Sequence, residues 1–232
     1  LVWHAPGWVP TTTSPPPPTG VKGWDITATN TGPRVAMTVY PGSHWATDFV
    51  SSGTPTSQNL VVAKNFSSGT IFEDVNYVTY RDCAFSETFQ NEKYGVAAIG
   101  TVLEYCSFNP GAASAGPYGI GDVNYTVLRG NLRGNSDGVR ANGNVLVAES
   151  YIRVKLTNSA DHNDGGQSYG GSGTVEYRAC HIDMRPDTGQ TVVNVNAAVQ
   201  FADFVTGTTF TGKIVDSLLH PGPGEYTVKM LD

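Results

Sequence analysis

The sequence predicts an all-β fold: a single-stranded right-handed parallel β-helix of about six to seven rungs behind an N-terminal Pro-rich arm. Three observations predict it. Charged residues make up only 15% of the 232-residue chain while Gly numbers 27. That composition suits short strands and tight turns, and lacks the Glu, Lys and Leu that amphipathic helices need. A β-rich phrase ending in Cys, Asn or Ser, then any residue, then a large apolar residue recurs along the chain. A second short phrase, usually with Gly or Ala at its centre, precedes each copy.

Taken in order, residues 1–20 (LVWHAPGWVPTTTSPPPPTG) form an arm or linker. Pro15 to Pro18 favour polyproline II, a stiff spacer with no hydrogen bonds of its own. Trp3 and Trp8 are out of place in a solvated linker and are expected to dock on the domain or on a neighbouring chain. Residues 21–57 are expected to supply an N-terminal cap and the first strands. His44 and Trp45 would cover the open end of the coil, which otherwise bares sheet edge and core.

The coil itself is expected over residues 58–232. The first phrase appears as VTYRDCAF (residues 78–85), TVLEYCSF (101–108), VLVAESYI (145–152), VEYRACHI (175–182) and KIVDSLL (213–219), with a weaker copy, TVLRGNL, at 126–132. The second appears as Tyr94-Gly-Val96, Tyr118-Gly-Ile120, Asp137-Gly-Val139, Asp164-Gly-Gly166 and Ala197-Ala-Val199. Each unit reads as one turn of a coil whose strands cannot bury their inner face alone. Stacking at about 4.8 Å per rung lays like residues over like. Cys83, Cys106, Asn131, Ser150, Cys180 and Ser217 are thus predicted to form an interior ladder. Phe85, Phe108, Ile152, Ile182 and Leu219 are predicted to form an apolar stack. Steps of 23, 25, 19, 30 and 37 residues along the ladder assign the irregularity to corner loops, where insertions cost little. A sandwich would need hairpin turns every 8–12 residues or so, and Asn142-Gly143 is the only Asn-Gly pair.

Composition also excludes functions. A net charge of -6 provides no basic field for nucleic acid. No apolar run approaches the roughly 18 residues of a membrane span. Three cysteines without a CxxC pair argue against a zinc site and a disulfide framework. The start at Leu1 rather than Met reads as the trace of a removed leader or upstream domain.

The candidate site follows from the aligned second phrase. Val139 and Val199 point inward, so alternation turns Arg140, Gln167 and Gln200 outward. Asp137 and Asp164 enter the same strands one rung apart, and Lys155, Asp161 and His162 lie on the segment between. Together they are the densest polar set in a chain of few charges. Tyr94 and Tyr118 fall in one column and offer aromatic faces to sugar rings. As a glycoside hydrolase, Asp137 and Asp164 would be the carboxylate pair, with Asp161 as an alternative partner. A separation near 5–5.5 Å would favour retention and a wider one inversion. As a polysaccharide lyase, Arg140 or Lys155 would be the base and Asp161 with Asp164 would hold Ca²⁺. Two acids and one Asn are few for such a cage, so no cofactor is expected. In the simplest reading Asp137 and Asp164 are turn residues that accept backbone N–H bonds.

The phrase VTYRDCAF resembles the V-x-I-x-N-C-x-F signature of the right-handed parallel β-helix superfamily of pectate-lyase-like and tailspike-like proteins, and the resemblance covers roughly Gln58 to Leu219. GVKGWDITATNTG (Gly20 to Gly32), followed by LVVAKNF, is similar to β-helix minor tail proteins of actinobacterial phages. DHNDGGQSYGGSG (Asp161 to Gly173) resembles their H-x-DGIQ rung, with Gly166 in place of the usual Ile. The resemblance implies a virion tail protein, structural or adhering to host cell-surface glycan along an outer face. Other virion proteins would hold the N-terminal arm, and a homotrimer is the spike-like assembly. A secreted carbohydrate-active enzyme and a virion decoration protein without a ligand are the alternatives, because fold alone does not fix function.

Overall fold

A computed structural model describes residues 20–41, 45–67, 69–93, 96–108, 118–133, 137–154, 163–186, 195–202, 210–222 and 226–231. The chain winds through three long parallel sheets in a repeating order, second to first to third. The first holds Thr38–Tyr40, Lys64–Phe66, Ala84–Phe85, Ser107–Phe108, Asn131–Leu132, Tyr151–Ile152, His181–Asp183 and Leu218–His220. The second holds Asn59–Val62, Val78–Arg81, Thr101–Glu104, Tyr125–Leu128, Val145–Ala148, Gly173–Arg178 and Phe210–Val215. The third holds Ile71–Phe72, Phe89–Gln90, Tyr118–Gly121, Asp137–Arg140, Asn163–Ser168, Val195–Ala202 and Tyr226–Leu231. This is the predicted parallel β-helix.

Each sheet sends one column of side chains into the core. The first contributes Phe66, Phe85, Phe108, Leu132, Ile152, Ile182 and Leu219 in register. Phe66, Phe85 and Phe108 stack with ring centroids 5.0 Å apart at each step. The second contributes Val61, Tyr80, Leu103, Val127, Val147, Tyr177 and Ile214. The third contributes Ile71, Phe89, Ile120, Val139, Gly166 and Val199, with the exposed Val228 next in register. Gly166 is the gap in that column, and the Tyr177 hydroxyl lies where a Cβ would stand. The large ring of one sheet thus fills the place of the side chain missing from another, which keeps the core at interior density.

Two sequence expectations are corrected. Asn131 pairs with Ser107 and Tyr151, so Gly130, one residue earlier, holds the interior place between Cys106 and Ser150. Val96–Ala97 forms an antiparallel hairpin with Glu92–Lys93, and Phe89–Gln90 is that turn's strand in the third sheet. Phe89 wins the place because its ring is fully buried, whereas Val96 is 72% exposed.

The corner between the second and first sheets is the most regular part. Ala63, Asp82, Tyr105, Arg129, Glu149, Ala179 and Asp216 occupy it, one per turn, all with φ between 49° and 55°. Left-handed backbone costs an L-residue about 1–2 kcal/mol, and seven repeats are held by the ladders on either side. The N-terminal segment runs along this corner, opposite in direction to the coil's rise. The Gly23, Gly32 and Thr38 N–H groups donate to the carbonyls of Asp216, Arg129 and Ala63 at 2.7, 2.9 and 2.8 Å. Those carbonyls lie three rungs apart. Between them Ile26 O meets His181 Nδ1 at 2.8 Å, and Arg34 clasps Asp82 with two bonds of 2.9 and 2.8 Å while lying over the Tyr105 ring. Residues 22–34 therefore form a strap on the side of the coil. At its first rung Tyr40, Phe49 and Val50 pack against the core around buried Ala46, and Trp45 bridges to Phe72. His44, Trp3 and Trp8 lie outside the described residues.

Candidate functional site

The third sheet carries the polar strip. Tyr118, Asp137, Asp164 and Ala197 pair in register along one column, as do Arg140, Gln167, Gln200 and Lys229 along another. Gly138 and Gly165 lie between these columns, and a Cβ on either would meet Ile152 or Ile182 of the core and the next rung's backbone. Two successive inward positions, Gly138 and Val139, bend each strand and place Asp137 and Arg140 on one outer face. Arg140 Nε then donates to Asp137 Oδ2 at 2.8 Å. One rung on, Gln167 Nε2 donates to Asp164 Oδ2 at 3.0 Å. The next rung repeats the theme through a bulge. Asn196 Nδ2 donates to both Asp164 oxygens at 3.0 and 3.2 Å and also meets Gln200 Oε1. Lys229 Nζ closes the series on Asn196 Oδ1 at 2.8 Å.

Both carboxylates are wholly buried, and Gln167 and Gln200 are buried with them. The Asp164 N–H donates to Asp137 Oδ1 at 3.2 Å, so the acids stitch adjacent rungs together. Burial pushes the Asp164 carboxyl up to about 7, against the pull of its Asn196 bonds and aided by the Asp137 charge. Neighbouring carboxyls in such settings separate into one acid and one base.

Arg140 is partly exposed, with 27% of its side chain accessible. Its guanidinium lies 4.8 Å from the Tyr118 ring centroid and 5.7 Å from that of Tyr169, within cation–π range. Tyr169 is 38% exposed. Nearby, burial and the Glu92 charge raise the Asp122 carboxyl to about 6. Burial, then the Asp122 charge, raises the Tyr118 hydroxyl to about 12, so Tyr118 stays a neutral hydrogen-bonding phenol. The result is a unit aromatic on two sides and cationic in the middle, held by the buried Asp137 carboxylate.

The structure thus brings together Asp137, Arg140, Asp164, Gln167, Gln200 and Tyr118. Tyr94, Lys155, Asp161 and His162 lie outside the described residues. Sequence reasoning missed Tyr169, Asn196 and Lys229. Lys229 was within reach, since Tyr226-Thr-Val228 repeats the Ala197-Ala-Val199 phrase. Asn196 was hidden by the bulge, and Tyr169 by its place just past a strand. Among the described residues no group of three or more His, Cys, Asp or Glu could hold a metal ion. Cys83, Cys106 and Cys180 are free and buried, and among the described residues no helix is long and apolar enough to cross a membrane. Comparison of the chain with family models, curated proteins and solved structures gives no match.

Proposed function

We propose that the chain is a non-catalytic adhesion module of a virion tail, with the Tyr118–Arg140–Tyr169 unit as its glycan contact. One observation carries the reading. The exposed groups of the strip form a preorganised aromatic and cationic platform, while the carboxylates that hydrolysis needs are buried and hydrogen-bonded beneath it. Tyrosine faces pack on sugar C–H groups, and an arginine fork bonds hydroxyls or acidic substituents. Rigid placement lowers the entropy cost of binding. The virion assignment is supported by the resemblance of Gly20 to Gly32 and Asp161 to Gly173 to phage minor tail proteins.

The test is co-sedimentation with intact mycolic-acid-bearing cells. Tyr169→Ala and Arg140→Lys, which keeps a charge beside Asp137 but loses the planar fork, should each lower bound protein about tenfold, or about 1.4 kcal/mol, with unchanged melting. Wild-type-like binding by both variants would sink the platform. The raised Asp164 carboxyl beside an arginine-paired Asp137 favours a second reading, glycoside hydrolysis. New reducing ends released from cell-wall glycans, and lost in Asp164→Ala, would replace adhesion with catalysis.

A further inference from the structure

The Arg140 fork can hold two kinds of ligand, and the charges around it decide between them. Its Nε donates to the Asp137 carboxylate at 2.8 Å, its one side-chain hydrogen bond among the described residues. The two Nη groups remain as donors beside the Tyr118 and Tyr169 rings. Such a pair matches the oxygens of a carboxylate or phosphate, and it also spans the neighbouring hydroxyl oxygens of a vicinal diol.

The charge near the fork runs against an anion. Asp137 already balances the guanidinium in an ion pair whose acid is wholly buried. Asp164 stands one rung on, in register with Asp137 and bonded to it through its N–H at 3.2 Å. On the other side the Asn142 N–H donates to the Asp122 carbonyl at 2.9 Å, which sets Asp122 one rung before Ala141, the residue next to Arg140. The Asp122 charge is felt by both Tyr118 and Arg140. Lys229 is the strip's other cation, but it lies three strands from Arg140 in the same column. At about 4.8 Å per rung that is about 14 Å, beyond the screening length of roughly 8–10 Å at ordinary salt. With their carboxyls at about 6 and about 7, Asp122 and Asp164 are largely ionised at about pH 8 and join Asp137 against one guanidinium. An anion would enter a net negative field, whereas a diol meets no such repulsion and keeps its contact with the tyrosine faces.

We propose that the Tyr118–Arg140–Tyr169 unit takes a neutral glycan, whose vicinal diol bonds the Arg140 Nη pair while its C–H face packs on Tyr169, and rejects glycans bearing uronate or phosphate. The inference rests on the adhesion reading and narrows it to a substrate class. Asp122 is then a selectivity residue, whose charge excludes anions without touching the sugar. Salt should matter little, because a contact between a cation and a neutral diol is screened far less than a charge pair.

The test is a glycan array probed with the full chain at about pH 8, where Asp122 and Asp164 are charged. It carries neutral hexose and pentose oligosaccharides beside uronate- and phosphate-bearing oligosaccharides of the same lengths. Neutral members should bind at least about tenfold better than acidic ones, with a change of less than about twofold between about 0.1 and about 0.5 M salt. Arg140→Lys should lower the neutral signal about tenfold. Asp122→Asn should raise the ratio of acidic to neutral binding at least about threefold. If that variant does not fold, the wild-type array and its salt dependence decide alone. Preference for acidic members, lost in Arg140→Lys, would overturn the neutral class and leave the platform standing. A ratio unmoved by Asp122→Asn with wild-type melting, or neutral binding that collapses in salt, would also overturn it. No glycan bound in either group would bring down the adhesion reading itself.

Discussion

Two corners of the same coil have opposite characters. Between the second and first sheets each turn spends one left-handed residue and one interior residue, from Asp82-Cys83 to Asp216-Ser217. Between the first and third sheets the connections range from residues 86–88 to residues 184–194. The regular corner sets carbonyls at a fixed rise, and the chain's own strap occupies that rail at every third rung. The irregular corner opens onto the strands that hold Asp137, Asp164 and Arg140. Constant spacing makes a surface that a second extended segment can read, whereas variable insertions leave a polar strip framed by loops. The regular side serves the fold, and the irregular side is the place to look for a ligand.

The largest expected effect breaks the packing beneath the strip. Gly166→Ile forces a side chain into the place of the Tyr177 hydroxyl and should cost about 3 kcal/mol in urea unfolding, in the range for overpacked cores. Gly166→Ile/Tyr177→Val should recover most of the loss. If the double variant is as unstable as the single one, the compensation between the two columns is wrong. A smaller effect belongs to the strap. A side chain in Gly23→Val would meet the Cys180 carbonyl and the Leu218 N–H. It should cost about 2 kcal/mol through lost strap contacts, speed proteolysis within residues 20–34 and leave cell binding intact. Loss of binding with an intact strap would erase the division between the corners.

The smallest effect is a slope. Asp164 has its native carboxyl raised to about 7, above the ordinary value near 4. Between those values the native state holds the proton more tightly than the unfolded chain. Its contribution is thus fully present below about pH 4, falls as pH rises through about 7, and is gone above that. Asp164→Asn should flatten this fall by about 1–3 kcal/mol across that window. An unchanged slope would mean that Asp164 is ionised throughout.

The interior columns were legible because stacking repeats residue character: Phe85 over Phe108, Ile152 under Ile182. Asn131 slipped by one because Gly130 has no side chain to announce its place. The left-handed corner was invisible because such backbone is ordinarily marked by Gly or Asn, and here Ala, Asp, Tyr, Arg and Glu share it. The strap was equally silent, since at Gly23 and Gly32 its grip is backbone N–H on backbone carbonyl. In the strip, Arg140, Gln167 and Gln200 could be placed by period-two alternation, and Asp137 and Asp164 by their place at the start of the aligned phrase. Their burial could not, because it depends on the bend at Gly138 and Gly165 and on Asn196 reaching from the next rung.

Hydrogen exchange across the whole coil, with and without soluble cell-wall glycan, tests the division most directly. Protection is expected at Tyr118–Gly121, Asp137–Arg140 and around Tyr169, with the strap and its corner unaffected and no glycan cleaved. Protection confined to the left-handed corner, or none anywhere under saturating glycan, would contradict it.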